Sequence, residues 1–244
     1  MTGNLVGADE TLFRIVEAMA GADSMGVTEV AAELDLTKST AHRHLQTLAA
    51  HGYAVNDGGT YRLSHQWFHL GTDVKSRNPF YLASRRELVV LAERTGQTAW
   101  AAIEEMGGLM FVNGTGARPT HNPDLLVGNW SSITETAAGK SILAALPEER
   151  AAEIIENADE AEKSPEDVRT ELEYVRNRGY AINLGERISG IYAIGMAAVV
   201  DGTVYGAMSL SSPSDDLITS DRESALDALS AAVERVERKL AEKN

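Results

Sequence analysis

The chain has 244 residues, of which 43% are hydrophobic and 24% charged, a composition that excludes fibrous and disordered classes and allows two modest domains, each with its own core. It contains no cysteine, so disulfides, thiolate nucleophiles and cysteine-ligated zinc or iron–sulfur sites are excluded. No apolar run reaches the ~18 residues of a membrane span, and residues 1–9 lack a basic stretch followed by an apolar one, so a cytoplasmic protein with no membrane association is expected.

The net charge of −14 opposes binding to any polyanion, but it is unevenly spread. From Leu36 to Asn56 there is no acidic residue, while Lys38, His42, Arg43, His44 and His51 all fall there. The acids gather elsewhere, notably over 148–173.

In chain order, Leu12, Ile15, Val16 and Met19 recur at helical spacing and predict a first helix over 10–20, broken by the stretch Gly21–Gly26. Thr28 is expected to cap a short helix running to Leu34, with Asp35-Leu36 as the turn after it. Thr37 is a good N-cap for the next helix, in which Ala41, Leu45 and Leu48 face inward and Gly52 ends the run. Asp57-Gly58-Gly59 between the strand-like segments 53–55 and 60–63 signals a hairpin. Three helices and a hairpin make a winged helix-turn-helix over 1–64. Residues 65–78 form a linking helix that Asn78-Pro79 stops, and 79–244 form a second domain.

In that second domain a helix is expected over 80–95, a hairpin over 98–113 and a loose Gly/Pro/Asn stretch over 114–124. A strand near 125–130 and helices over 137–146, 148–157 and 166–178 follow. Strands 193–200 and 203–211 are joined by Asp201-Gly202. Helix 221–242 is expected to start with a capping box of Ser220 and Glu223. The mixture predicts an α+β fold with an antiparallel sheet.

With Ala41, Leu45 and Leu48 buried, Lys38, Ser39, Thr40, His42, Arg43 and Thr47 remain on the outer faces of the second helix of the motif, where base edges and phosphates are met in a major groove. Arg43 suits bidentate pairing with guanine, and Arg62 in the wing suits a backbone phosphate or the minor groove. The alternative for such a module is a protein-interaction surface.

Other patterns carry less. Gly139-Lys140-Ser141 ends like a phosphate-binding loop but lacks the required glycine at Thr134. His42 and His44 are two apart on a helix and point to different sides, so no metal site is expected. No nucleophile-elbow signature accompanies His121, the sole histidine beyond residue 69, and no catalytic residue or cofactor is expected. The ladder Leu226, Leu229, Val233, Val236, Leu240 fits a short coiled coil or, more simply, packing on the domain's own sheet.

Four segments, LDLTKSTAHRHLQTLAAHGYAV, ITETAAGKSILAAL (133–146), RGYAINLGERISGIYAIG (178–195) and VYGAMSLSSPSDDLI (204–218), resemble in order and spacing the IclR-type regulators of bacteria and archaea. The resemblance covers almost the whole chain. It implies a winged helix-turn-helix, a linker helix and a GAF-like α/β effector domain, in dimers or tetramers bound to palindromic double-stranded DNA operators beside catabolic genes. It also implies an effector pocket at the backbone amides of Ala137 and Ala138, where a helix N-terminus attracts a carboxylate, and at the paired serines Ser209 and Ser211. The alternatives are that small residues merely let the helix pack closely, and that the serines form a polar edge-strand face.

Where members that bind small oxoacids carry an acidic residue and a cysteine, this chain has Asn183 and Ala193. The expected pocket is therefore larger and neutral, and takes a small organic acid not restricted to the smallest oxoacids. The scarcity of lysine (six, against sixteen arginines) beside abundant acids resembles proteins of salt-loving archaea. The competing reading of the whole chain is an enzyme acting on a small organic acid, with the N-terminal helices serving assembly.

Overall fold

The computed structural model describes residues 5–116, 126–158 and 163–242. They fall into two compact units that meet between Lys75 and Ser76.

The first unit contains α1 (Gly7–Ala20), β1 (Met25–Gly26), α2 (Val27–Glu33), α3 (Lys38–Ala50), β2 (Ala54–Asp57), β3 (Thr60–Leu63) and most of α4 (Gln66–Arg77). Ile15 and Met19 of α1, Val30 and Ala31 of α2, and Ala41, Leu45 and Leu48 of α3 close on Tyr61 of the hairpin in one core. The Thr37 hydroxyl caps α3, accepting the Thr40 N–H at 3.1 Å. Asp35 makes the turn before it with a left-handed φ of 53°, a conformation that Asp tolerates better than most residues.

Two expectations are corrected here. The break over 21–26 ends in a strand, β1, which pairs Met25 with Tyr61 and Gly26 with Thr60 and so completes a three-stranded wing. Because the chain leaves that strand directly into α2, Gly26 is the N-cap and Thr28 lies inside the helix; Glu29 reaches back to the Gly26 N–H at 2.6 Å. α4 buries no residue fully. Its first turn is fixed by Trp67, whose Nε1 donates to the Tyr53 carbonyl at 3.0 Å and whose ring packs 4.9 Å from that of Tyr53.

Asn78 caps α5 (Pro79–Thr95) by accepting the Tyr81 N–H at 2.9 Å, and Pro79, which cannot continue α4, takes the first position of α5. The strands of the second unit are β4 (Thr98–Glu105), β5 (Gly108–Gly116), β6 (Trp130–Ser131), β7 (Ala181–Leu184), β8 (Tyr192–Val200) and β9 (Thr203–Ser212). They form one antiparallel sheet in the order β6-β5-β4-β9-β8-β7.

On one face α5 and α9 (Arg222–Ala241) bury Phe80, Leu88 and Leu91 with Leu229, Val233, Val236 and Leu240, so the apolar ladder of α9 packs on its own domain. On the other face α6 (Ala137–Ala145), α7 (Glu148–Glu156) and α8 (Pro165–Arg178) pack Ile142, Leu143, Ile155 and Leu172 against Trp100, Leu109, Phe111 and Ala207.

Three further expectations change. The strand near 125–130 shrinks to Trp130–Ser131, because residues 126–128 form a turn closed by the Asn129 N–H on the Leu126 carbonyl at 3.0 Å and tied to β5 by the Gly128 N–H on the Phe111 carbonyl at 2.8 Å. The loose stretch begins later than expected: Gly114–Gly116 belong to β5, and the remainder, with His121, lies outside the described residues. No capping box opens α9. A 3-10 turn at Asp215–Ile218 delivers Asp221 already in helical conformation, and the Ser220 hydroxyl turns to Asp216 and Asp221.

Candidate functional site

The first surface is α3. Lys38, Ser39, His42, Arg43 and Thr47 are exposed and Thr40 is half-buried, while Ala41, Leu45 and Leu48 hold the opposite face in the core. Lys38, His42 and Arg43 have no side-chain partner among the described residues. The hydroxyls are engaged locally. Ser39 and Thr40 meet the Thr37 hydroxyl at 2.9 and 2.8 Å, and Thr47 donates to the Arg43 carbonyl at 2.9 Å. Arg62, on β3, is paired with Asp57 at 3.6 Å, so part of its charge is already answered within the wing. Among the described residues no three His, Cys, Asp or Glu side chains converge as metal ligands.

The second site is a cavity of about 430 Å³ on the α6 side of the sheet. It is lined by all six residues singled out in the sequence, Ala137, Ala138, Asn183, Ala193, Ser209 and Ser211. The sheet register explains why they meet. Trp100, Ser209 and Gly195 form one row across β4, β9 and β8, and Ser211, Ala193 and Asn183 form the next across β9, β8 and β7. β9 is an interior strand, so its serines are not an edge-strand face.

Gly195 brings the helix in. A Cβ there would sit 2.6 Å from the Ala137 carbonyl oxygen and 2.9 Å from the Ala138 nitrogen, so only glycine lets the start of α6 lie on the strand. The close packing of small residues and a cradle of free amides are therefore one device. Thr136 caps α6, its hydroxyl accepting the Gly139 N–H at 3.1 Å, and its carbonyl accepts the Lys140 N–H at 2.9 Å. The N–H groups of Ala137 and Ala138 are left outside the cap and the ladder, at the positive end of the helix.

The polar groups of the cavity differ in freedom. Ser209 is a buried residue whose hydroxyl makes no side-chain hydrogen bond among the described residues, and since no fully buried side-chain polar atom there lacks a partner, that hydroxyl opens onto the cavity. Ser211 accepts the Trp100 Nε1–H at 2.8 Å and so orients that ring, which lies 5.2 Å from Phe111. Asn183 is spoken for: its amide donates to the Glu135 carbonyl and to Glu186, and its oxygen accepts the Gly185 N–H at 2.9 Å. It braces the wall more than it faces an occupant.

Two features were not legible in the sequence. Arg187 lines the cavity, so the neutral pocket expected from Asn183 and Ala193 carries a cation. Lys140, whose segment fails as a phosphate loop, is fully buried and bridges Glu171 at 2.5 Å and Glu186 at 2.6 Å; Lys163 closes the ring at 2.6 and 3.3 Å. Burial pushes the Glu171 carboxyl up, but the hydrogen bonds and charges of Lys140 and Lys163 together outweigh it and hold the group below the usual carboxylate range. Burial likewise opposes the charge on Lys163, and the bonds to Glu171 and Glu186 overcome it and raise its pKa.

Comparison with known proteins gives a consistent picture. Residues 11–58 match the IclR helix-turn-helix domain, and residues 76–238 match the C-terminal domain of the bacterial transcriptional regulator IclR. The chain is 32% identical over 212 residues, covering 82% of this chain and 80% of the relative, to the "Probable HTH-type transcriptional regulator ArcR" of Halobacterium salinarum. It is 30% identical over 249 residues, covering 98% and 87%, to the HTH-type transcriptional regulator BhcR of Paracoccus denitrificans. An IclR homolog of Microbacterium hydrocarbonoxydans, crystallised with 4-hydroxybenzoate, shares the fold with a TM-score of 0.79 at 18% identity, covering 96% of this chain and 99% of that one. These relatives are named as regulators, and none of them as an enzyme. No helix among the described residues is long and apolar enough to cross a membrane. The chain belongs to the IclR family of helix-turn-helix transcriptional regulators.

Proposed function

We propose that this regulator senses a small organic acid with an apolar body and couples its capture to operator binding. The observation that carries this reading is the cavity itself. Two uncommitted amides of α6 and the unpartnered Ser209 hydroxyl share it with the aromatic walls of Trp100, Phe111 and Trp130. Such a site suits an acid group at the polar end and a flat apolar body against the rings. The 4-hydroxybenzoate bound by the structural relative is of this kind.

In this reading α3 enters the major groove, Arg43 reads a base edge, and Lys38, Ser39, Thr40, His42 and Thr47 hold flanking phosphates or bases. Arg62 is a secondary backbone contact because Asp57 already engages it. The protein acts in the cytoplasm as a homodimer or a tetramer on a palindromic operator, whose half-sites lie about 34 Å apart, beside catabolic genes. The acidic surface suits a salt-rich cytosol, as in the haloarchaeon that supplies one relative.

The test is thermal stabilisation of the full chain by a panel of benzoate, 4-hydroxybenzoate, pyruvate and gluconate. A melting shift by one or more acids, lost in Ser209→Ala/Ser211→Ala, supports the reading, and a flat response to the whole panel overturns it.

A further inference from the structure

The strongest unexplained group is Arg187, in the loop between β7 and β8. The inference drawn from it rests on reading the cavity as an organic-acid site. The adjacent Glu186 does not neutralise this arginine, because its oxygens are held by Lys140 at 2.6 Å and Lys163 at 3.3 Å. Arg187 forms no ion pair among the described residues. Its Nε donates to the Ser131 hydroxyl at 3.1 Å, which steadies the side chain and leaves the two terminal nitrogens of the guanidinium for another acceptor.

The loop that carries it is tight. Gly185 has φ 91° and accepts no side chain without crowding, since a Cβ there would lie 3.3 Å from the Gly190 nitrogen. The Ile191 N–H closes the turn on the Ile188 carbonyl at 3.0 Å. A guanidinium held in this way at a cavity wall, in a chain of net charge −14, is a planar two-pronged hydrogen-bond donor suited to an oxyanion. It comes from the β7–β8 loop, a different element from α6 and β9, whose amides and Ser209 line the same cavity.

We propose that Arg187 is a second oxyanion site of the cavity and sets its specificity. The preferred effector then carries oxygen functions at two ends of a flat apolar body, one on the α6 amides and Ser209 and the other on the Arg187 fork. A charge-assisted pair with an arginine is among the stronger contacts a ligand can gain, so the second function should show clearly in affinity.

Calorimetric titration of the full chain with benzoate, which has one carboxylate, and terephthalate, which has two at opposite ends, tests this. Wild type should prefer terephthalate by about tenfold or more. Arg187→Met should erase the preference by weakening terephthalate while leaving benzoate within about twofold, and Arg187→Lys should restore it in part. Equal affinity for the two acids in wild type, or a preference that survives Arg187→Met, overturns the role of Arg187 while leaving the acid site standing. Failure of both acids to bind, together with a flat response to the wider panel, overturns the acid site and this proposal with it.

Discussion

Gly195 on β8 and Ala137 at the start of α6 touch so closely that a single methyl group at 195 would fall 2.6 Å from the Ala137 carbonyl oxygen. That contact presses the free amides of α6 onto the row of strand residues that holds Ser209. Gly195→Ala should therefore move the helix start, lower stability by about 1–3 kcal/mol and weaken acid binding more than Ser209→Ala alone. Thermal melts with and without benzoate measure both effects. Wild-type stability and affinity in Gly195→Ala would show that the approach is looser than described.

The ionic ring around the buried Lys140 makes a second prediction. Lys140→Met leaves Glu171 and Glu186 facing one another with only Lys163 between them, and it should cost about 3–5 kcal/mol, nearer the lower figure because both carboxylates keep some exposure. Adding Glu171→Gln and Glu186→Gln to Lys140→Met should recover much of that loss, since the damage comes from uncompensated charge. Denaturant midpoints of the single and triple variants read this out. A triple variant that is weaker than Lys140→Met would place the cost in packing.

How much of this could be seen beforehand follows from distance along the chain. α3 was legible because Thr37, Ala41, Leu45 and Leu48 declare a cap and an inner face within one local window. The six cavity residues were legible through family resemblance, although only the sheet register shows why they meet. β1 was hidden because two residues make no periodicity and their strand character comes from Tyr61 and Thr60. Lys140 was hidden because its partners Glu171 and Glu186 lie 31 and 46 residues away, and Arg187 because an irregular loop carries no pattern.

The ring also sets a pH response. The Glu171 pKa is lowered in the folded protein relative to an unfolded value of about 4.3, so its stabilisation is complete above that value and is lost as pH falls through the folded one. The Lys163 pKa is raised, so its contribution is complete below about 10.4 and is lost only as pH rises beyond that. Glu171→Gln should thus lower stability near neutrality and flatten its decline below about pH 4. An acid limb as steep as that of wild type would remove Glu171 from the explanation.

For the DNA surface, Arg43→Ala should weaken binding to a duplex selected from a randomised pool by about 1–3 kcal/mol, with no change in acid affinity. Arg62→Ala should cost less, because Asp57 already engages that guanidinium. Gel-shift titration gives both values, and a larger loss for Arg62→Ala would make the wing the principal reader.

The acidic composition predicts salt-dependent folding. With a net charge of −14, self-repulsion is strong in dilute buffer and is screened within about 3 Å at 1 M salt. The melting temperature should climb steadily with added KCl, and full stability in dilute buffer would remove the salt-adapted reading.

The central claim is that occupation of the cavity and operator binding are linked. The most direct measurement is the affinity of the full chain for its selected duplex with and without saturating 4-hydroxybenzoate, in wild type and in Ser209→Ala/Ser211→Ala. The account predicts a change of about fivefold or more in wild type and none in the double variant. An equal change in both proteins, or no change in wild type, would contradict it.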